Sequence, residues 1–276
     1  MAKFTKTLIA AGLLAASATP ALAADYSGDI HKNDYKWMQF NVMHTIDQKP
    51  HGPDGYNDTY FEMEFGGRSG IFDLYGYVDV FDIFQNRHDD KHNQDNLFIK
   101  FAPRISIDAM TGKDLSFGPV QEVYIANLIN VGGPDGLFEA MTGLGADVQV
   151  PWFGKVGMNL YARHVNEGGG EQGWNGYQFS MNWFKPFYTF SNGSFVSYQG
   201  YLDYAFDLDT HNRADRTSDN LATFHGIYWH SDRYAVGYGL KYFMDAYGTK
   251  DGSTAYDGTP WKSSGFSHYF SVTYKF

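Results

Sequence analysis

The sequence contains no cysteine, which excludes disulfide bonds and thiol chemistry. Past its first two dozen positions it has no run of about 18 apolar residues, so no helix of it can cross a membrane. A β-barrel escapes that exclusion, because only alternate residues of its strands face lipid. The mean hydropathy is accordingly low, at −0.41. Positive charge is scarce, with 21 Lys and Arg against 31 Asp and Glu. Phosphate backbones are bound by clustered Lys and Arg, so nucleic acid is excluded as a partner. What the chain has in excess is aromatic residues, at 18%, mostly Tyr and Phe. Such an excess suits interfacial girdles and a lumen able to stack ligands.

The N-terminus carries Lys3 and Lys6, then the apolar run from Leu8 to Leu14, then Ala21-Leu-Ala23. A basic start, a short apolar stretch and a small-x-small site define a secretory signal peptide over 1–23, with Ala24 the first mature residue. The apolar stretch is too short to span a bilayer as a helix. Residues 24–276 form one domain of 253 residues, enough for a single large barrel. With Lys3 and Lys6 gone, 19 basic and 31 acidic residues remain, a formal charge of −12.

From Tyr35 onward the chain alternates apolar and polar residues in runs of about ten, the length a tilted transmembrane strand needs. In the 60–65 run, Tyr60, Glu62 and Glu64 share one face while Phe61, Met63 and Phe65 share the other. The alternation predicts an all-β, twelve-stranded antiparallel transmembrane β-barrel. Its strands lie near 35–45, 57–66, 71–84, 97–108, 114–129, 138–150, 155–166, 174–185, 194–207, 220–230, 234–246 and 265–276. Short connections alternate with long polar ones, so the short ones are expected in the periplasm and the long ones outside. An even strand count leaves both termini periplasmic.

Charge sets which face is which, because Arg or Lys on the lipid face costs about 2–4 kcal/mol near the midplane. Phe72, Leu74, Val78 and Val80 are therefore expected outside, as are Ile99, Phe101, Ile105 and Ile107. The same holds for Val156, Met158, Leu160 and Ala162, and for Val236, Tyr238, Leu240 and Tyr242. The expected lumen aromatics are Tyr60, Tyr75, Tyr77, Phe81, Phe98, Tyr124, Tyr161 and Tyr201. Its expected charges are Asp58, Glu62, Glu64, Asp73, Asp79, Lys100, Arg104, Glu122, Asp147, Arg163, Asp203 and Lys241. Parity is open in 220–230, where His225 and Trp229 oppose Phe224 and Tyr228. Trp152, Phe153, Trp183, Phe184, Phe187 and Tyr188 flank turns and suit a periplasmic aromatic belt.

The last strand places Phe270, Val272, Tyr274 and Phe276 on one face and Ser271, Thr273 and Lys275 on the other. It resembles the closing strand of bacterial outer-membrane barrels, in which a terminal aromatic residue belongs to the assembly signal. The resemblance makes Phe276 and Tyr274 the assembly signal and the barrel-assembly machinery a partner.

A wider resemblance rests on Asn57-Asp-Thr-Tyr-Phe-Glu-Met-Glu-Phe65, on Phe72 to Asp79, and on Pro103 to Pro119 continuing through Glu122, Tyr124, Ala126 and Asn127. Gly143 to Asp147 and Trp174 to Phe179 extend it. These segments resemble the Tsx/OmpK family of nucleoside-specific outer-membrane channels, most densely over 57–127 and more loosely past about 185. The resemblance implies a monomer in the cell outer membrane, among its lipids and lipopolysaccharide. It implies a narrow pore for passive nucleoside uptake, with exposed loops that phage exploit, no cofactor and no catalytic residues. A nucleoside pore needs stacking faces and hydrogen-bonding groups, so the candidate wall residues are Tyr75, Tyr77 and Tyr124 with Asp73, Glu122 and Arg104. The same residues also suit simple packing of a narrow barrel.

The run from Arg87 to Asp95 contains His88 and His92 but reads as a solvated polar loop, not a metal site. Gly168 to Gly170 lacks the strand-to-helix context of a phosphate loop. Ser267 and His268 are adjacent and point to opposite faces, so they form no hydrolase dyad. A non-selective pore, a structural or adhesion barrel and, through a Ser–His pair on two different strands, an outer-membrane lipid hydrolase remain alternatives. Deleting Phe276 is expected to lower surface levels in cells more than it alters the folded barrel. Normal surface levels of the deletion variant would contradict that.

Overall fold

A backbone in hydrocarbon must pair every N–H and C=O with another backbone group, and a sheet does so only by closing on itself. The computed structural model describes residues 24–53, 55–85, 96–132, 137–166, 172–254, 258 and 260–276, and shows that closure. Its strands are β1 (Tyr35–Ile46), β2 (Asp58–Ser69), β3 (Phe72–Val80), β4 (Leu97–Phe101), β5 (Arg104–Ser106), β6 (Val120–Gly132), β7 (Leu137–Val150), β8 (Gly154–Asn166), β9 (Gln172–Thr189), β10 (Phe195–Phe206), β11 (Asn220–His230), β12 (Tyr234–Met244) and β13 (Gly265–Lys275). Neighbouring strands pair antiparallel around the barrel, β4 and β5 each pairing with β3 and β6, and β1 pairs with both β2 and β13. The seam runs from Gln39 opposite Lys275 to Ile46 opposite His268.

The thirteen segments make twelve staves. β4 and β5 both lie between β3 and β6, and the register is continuous across their gap: Phe101 faces Gly76 and Ile129, and Arg104 faces Asp73 and Ala126. The gap holds Ala102 and Pro103, and a proline has no N–H to give the ladder. The Pro103 carbonyl still accepts from Asn127 N–H at 3.0 Å.

Some expected boundaries move. The strand expected at 97–108 stops at Ser106, and Ile107 lies in a helical turn, α1 (Ile107–Thr111), not on a lipid-facing strand. Ser106 caps that turn by accepting from Ala109 N–H at 3.0 Å, and Gly112 ends it in the left-handed conformation at φ 64°. Asp108 then accepts from Leu115 N–H and Val123 N–H, so the next strand begins at Val120, not 114. β3 ends at Val80 rather than 84, and β9 runs on to Thr189.

Parity follows the charges. Phe72, Leu144, Val236, Phe270 and Val272 are exposed on the outer wall. In β11, Phe224, Tyr228 and His230 line the lumen, while His225, Ile227 and Trp229 point out. Of the expected belt, Trp152, Phe187 and Tyr188 are exposed at the end with the short turns. Phe184 instead lines the lumen, because it has the same parity in β9 as Gln178, Ser180 and Asn182. Before β1, residues 24–34 turn back across the mouth at that end. The Gly70 N–H, aided by His31 and Ser69, holds the Asp34 carboxyl below its ordinary range.

Two glycines of β12 make room for rings of β11. A Cβ on Gly237 would lie 2.2 Å from the Tyr228 ring, and one on Gly239 would lie 2.1 Å from the Phe224 ring. Gly237→Val is therefore expected to displace Tyr228 and destabilise the barrel by about 1–3 kcal/mol. The check is the temperature at which the folded form shifts mobility on a heat-modifiability gel. An unchanged temperature would contradict the packing described.

Candidate functional site: the lumen

Because side chains alternate along every strand, half of the barrel's residues converge on one interior space. That space is a cavity of ≈ 2730 Å³ lined from both ends of the barrel. It is far larger than one bound small molecule needs, and its chemistry changes along its length.

At the short-turn end three acids and three bases interlock: Asp73, Glu122 and Asp147 with Arg68, Arg104 and Lys155. Strand register assembles them. Arg68 lies opposite Asp73, Asp73 opposite Arg104, and Glu122 opposite Asp147. Two carboxylates facing each other repel, so the bases must intervene. Arg104 bridges Asp73 at 3.1 Å and Asp147 at 2.9 Å, Lys155 reaches Asp147 at 3.0 Å, and Arg68 reaches Glu122 at 3.0 Å. Tyr124 sits inside this network, 0% exposed, under the Arg104 guanidinium at 3.9 Å. It donates to Asp147 at 3.1 Å and accepts from Arg68. Tyr26, from the lead segment, donates to Glu122 and accepts from Arg68 at 3.1 Å.

The middle layer is more open and more acidic. Glu62 lies opposite Asp79 on β3 and opposite Asn41 on β1, whose amide donates to it at 2.5 Å. Glu64 accepts from Gln39 at 2.5 Å and from Tyr75 at 2.8 Å. Alongside these acids the half-buried rings of Trp37, Tyr75, Tyr77 and Phe98 follow one another with centroids 6.3, 6.2 and 6.0 Å apart. The Tyr75–Tyr77 pair is edge-on at 70°. Across the lumen stand Tyr201, Phe224 and Tyr269, the first two stacked at 11°. Lys241 lies 5.6 Å from both tyrosine rings. At the long-loop end Arg163 pairs with Glu139 at 2.6 Å.

All twelve charges expected inside line the lumen, as do seven of the eight aromatics. Tyr124 is the exception, being sealed behind Arg104. Of the six candidate wall residues, the fold brings Asp73, Arg104, Glu122 and Tyr124 into one closed cluster, and places Tyr75 and Tyr77 apart on the open wall. Arg68, Lys155 and Glu139 were not expected there. Arg68 lay in a segment expected to be a turn, yet β2 continues to Ser69, and Arg68 has the parity of Glu62 and Glu64. The polar run from Arg87 to Asp95 and Gly168 to Gly170 lies outside the described residues, as does the segment 1–23.

A closed transmembrane barrel with an open, polar and aromatic lumen defines the channel-forming class of protein. Residues 32–276 match the model of the nucleoside-specific channel-forming protein Tsx family, and the chain belongs to that family. It is 56% identical to the outer membrane protein OmpK of Vibrio parahaemolyticus over 272 residues, covering 98% of this chain and 99% of that protein. It is 31% identical to the nucleoside-specific channel-forming protein Tsx of Klebsiella pneumoniae, covering 98% and 99%. Among solved structures it is similar to a KdgM porin, at TM-score 0.44 and 12% identity over 86% of this chain and 99% of that one.

Arg104 joins Asp73 to Asp147 in the closed cluster, as Arg68 joins Asp73 to Glu122. Arg104→Met would leave Asp73 and Asp147 with one cation fewer in a buried setting. The expected loss is on the order of 3 kcal/mol, read as a lower urea midpoint in detergent. A midpoint within error of the parent would contradict a structural role for the cluster.

Proposed function

We propose that this chain is an outer-membrane channel that lets nucleosides pass passively, with both termini in the periplasm. The observation that carries the reading is the aromatic file Trp37–Tyr75–Tyr77–Phe98, open to the lumen and flanked by Glu62 and Glu64. A nucleoside has a flat base and a neutral hydroxylated sugar. Ring faces take the base, and carboxylates and amides take the sugar hydroxyls. Stacking contributes roughly 1–3 kcal/mol per base, weak enough for the ligand to leave again. The acids of this layer disfavour an added phosphate, so nucleotides pass less readily.

In this reading Tyr75 and Tyr77 are the stacking faces, and the Asp73–Glu122–Arg104–Tyr124 cluster holds the wall behind them. The family membership and the similarity to a protein called a nucleoside-specific channel support it. Of the long connections where phage would dock, 46–56, 85–96, 130–137, 167–173, 208–219 and 247–264, residues 54, 86–95, 133–136, 167–171, 255–257 and 259 lie outside the described residues.

The test is uptake into proteoliposomes of labelled adenosine, AMP and a neutral sugar of similar size. Adenosine is expected to enter fastest, and equal entry of all three would leave only a general pore. Replacing both Tyr75 and Tyr77 by Ala is expected to abolish the preference while small ions still pass. A preference that survives would place the selective wall elsewhere.

A further inference from the structure

One ion pair in the lumen does not follow the wall. Lys100 belongs to β4 and Asp203 to β10, yet Lys100 Nζ lies 3.6 Å from an Asp203 carboxylate oxygen. Between those strands stand β6, β7, β8 and β9 on one side, and six staves on the other. The pair is therefore a chord across the barrel. It also draws rings toward itself, with Tyr77 at 5.6 Å and Tyr201 at 5.8 Å from the ammonium. The smaller lobe behind the chord contains the packed cluster of Ala126, Leu128, Met141 and Tyr161. The cavity is lined on both sides of the chord, by Tyr161 and Arg163 in the smaller lobe and by Tyr60 and Tyr269 in the larger, so the chord divides the lumen.

The two ends of the chord differ. Asp203 is fixed to its own wall, accepting from Ser180 Oγ at 2.6 Å. Lys100 is a long side chain with a second place to go. Its cross-strand neighbour on β6 is Asn130, whose amide donates to Glu139 at 2.9 Å. The carbonyl oxygen of Asn130 is buried and has no hydrogen-bond partner among the described residues. A buried acceptor left unpaired is costly, so a donor that reaches it gains. Lys100 faces the same side of the sheet and carries three donors.

We propose that Lys100 is a gate: closed across the lumen on Asp203, open when its ammonium folds back onto Asn130. The chord sets the bore of the channel, a property separate from which solute the aromatic file prefers. Two arrangements of one side chain, each with a partner, make a two-state element that a passing solute or the ionic strength can bias. Salt weakens the part-exposed ion pair, so the open share rises with ionic strength.

Single-channel conductance in KCl tests this. Lys100→Met and Asp203→Asn change the lumen charge in opposite senses, yet both remove the chord. Both are expected to raise conductance about twofold, as a wider bore does. Asn130→Asp gives Lys100 a charged partner on its own wall and is expected to raise the open share. The exchange K100D/D203K restores the pair and is expected to return conductance to the parent value. If charge alone matters, the two single variants shift ion selectivity in opposite directions with no common rise, and the gate is overturned. An exchange variant that conducts like the singles also overturns it. The chain has no native cysteine, so a K100C/D203C pair can be bridged with a short bifunctional maleimide. Bridging is expected to lower conductance, and no change on bridging contradicts the chord. None of these readouts depends on nucleoside preference, so the gate and the nucleoside reading fail separately.

Discussion

The structure depends on closure. In hydrocarbon the backbone has no water to pair with, so β1 must meet β13, and every strand between must keep its register. Closure forces alternation, and alternation forces the chemistry. The mid-strand charges that line the lumen meet amide and phenol groups and other charges, mostly on neighbouring strands and, for Lys100 and Asp203, across the barrel. The lumen is thus a crowded polar interior by necessity. What makes it specific is how that crowding is resolved along the axis.

At one end it is resolved by pairing. Asp73, Glu122 and Asp147 are balanced by Arg68, Arg104 and Lys155, and Tyr124 fills the space among them. In this layer the charged groups are already paired with one another. In the middle, acids outnumber bases. Acids and tyrosine rings stand on β2 and β3, while Lys100 and Lys241 reach toward Tyr201 from β4 and β12. A neutral, flat, hydroxylated solute meets ring faces and hydrogen-bond partners there without having to shed a charge.

Most of the barrel was legible in the sequence because charges pin parity. Asp73, Asp79, Lys100, Arg104 and Asp147 each fixed the face of their own strand. The strand 220–230 was not legible, since it carries His225 and Trp229 against Phe224 and Tyr228, and none of these is forbidden on either face. The structure resolves it through neighbours: Gly237 and Gly239 are small only where Tyr228 and Phe224 need room. The interruption at Pro103 and the helical turn after Ser106 were missed because an alternating pattern says nothing about caps. Within the site, sequence spacing put Tyr75 and Tyr77 on one face. It could not show that Tyr124 lies under Arg104, because that depends on which strands meet. Register across three strands, not spacing along one, separates the closed cluster from the open wall.

The central claim is that a base occupies the aromatic file while it crosses. The most direct measurement is the ion current through single channels as adenosine is added on one side. The account predicts brief, concentration-dependent blockades by adenosine and none by ribose alone, since only the base has a face to stack. A current that adenosine leaves unchanged, or that ribose blocks equally, would contradict it.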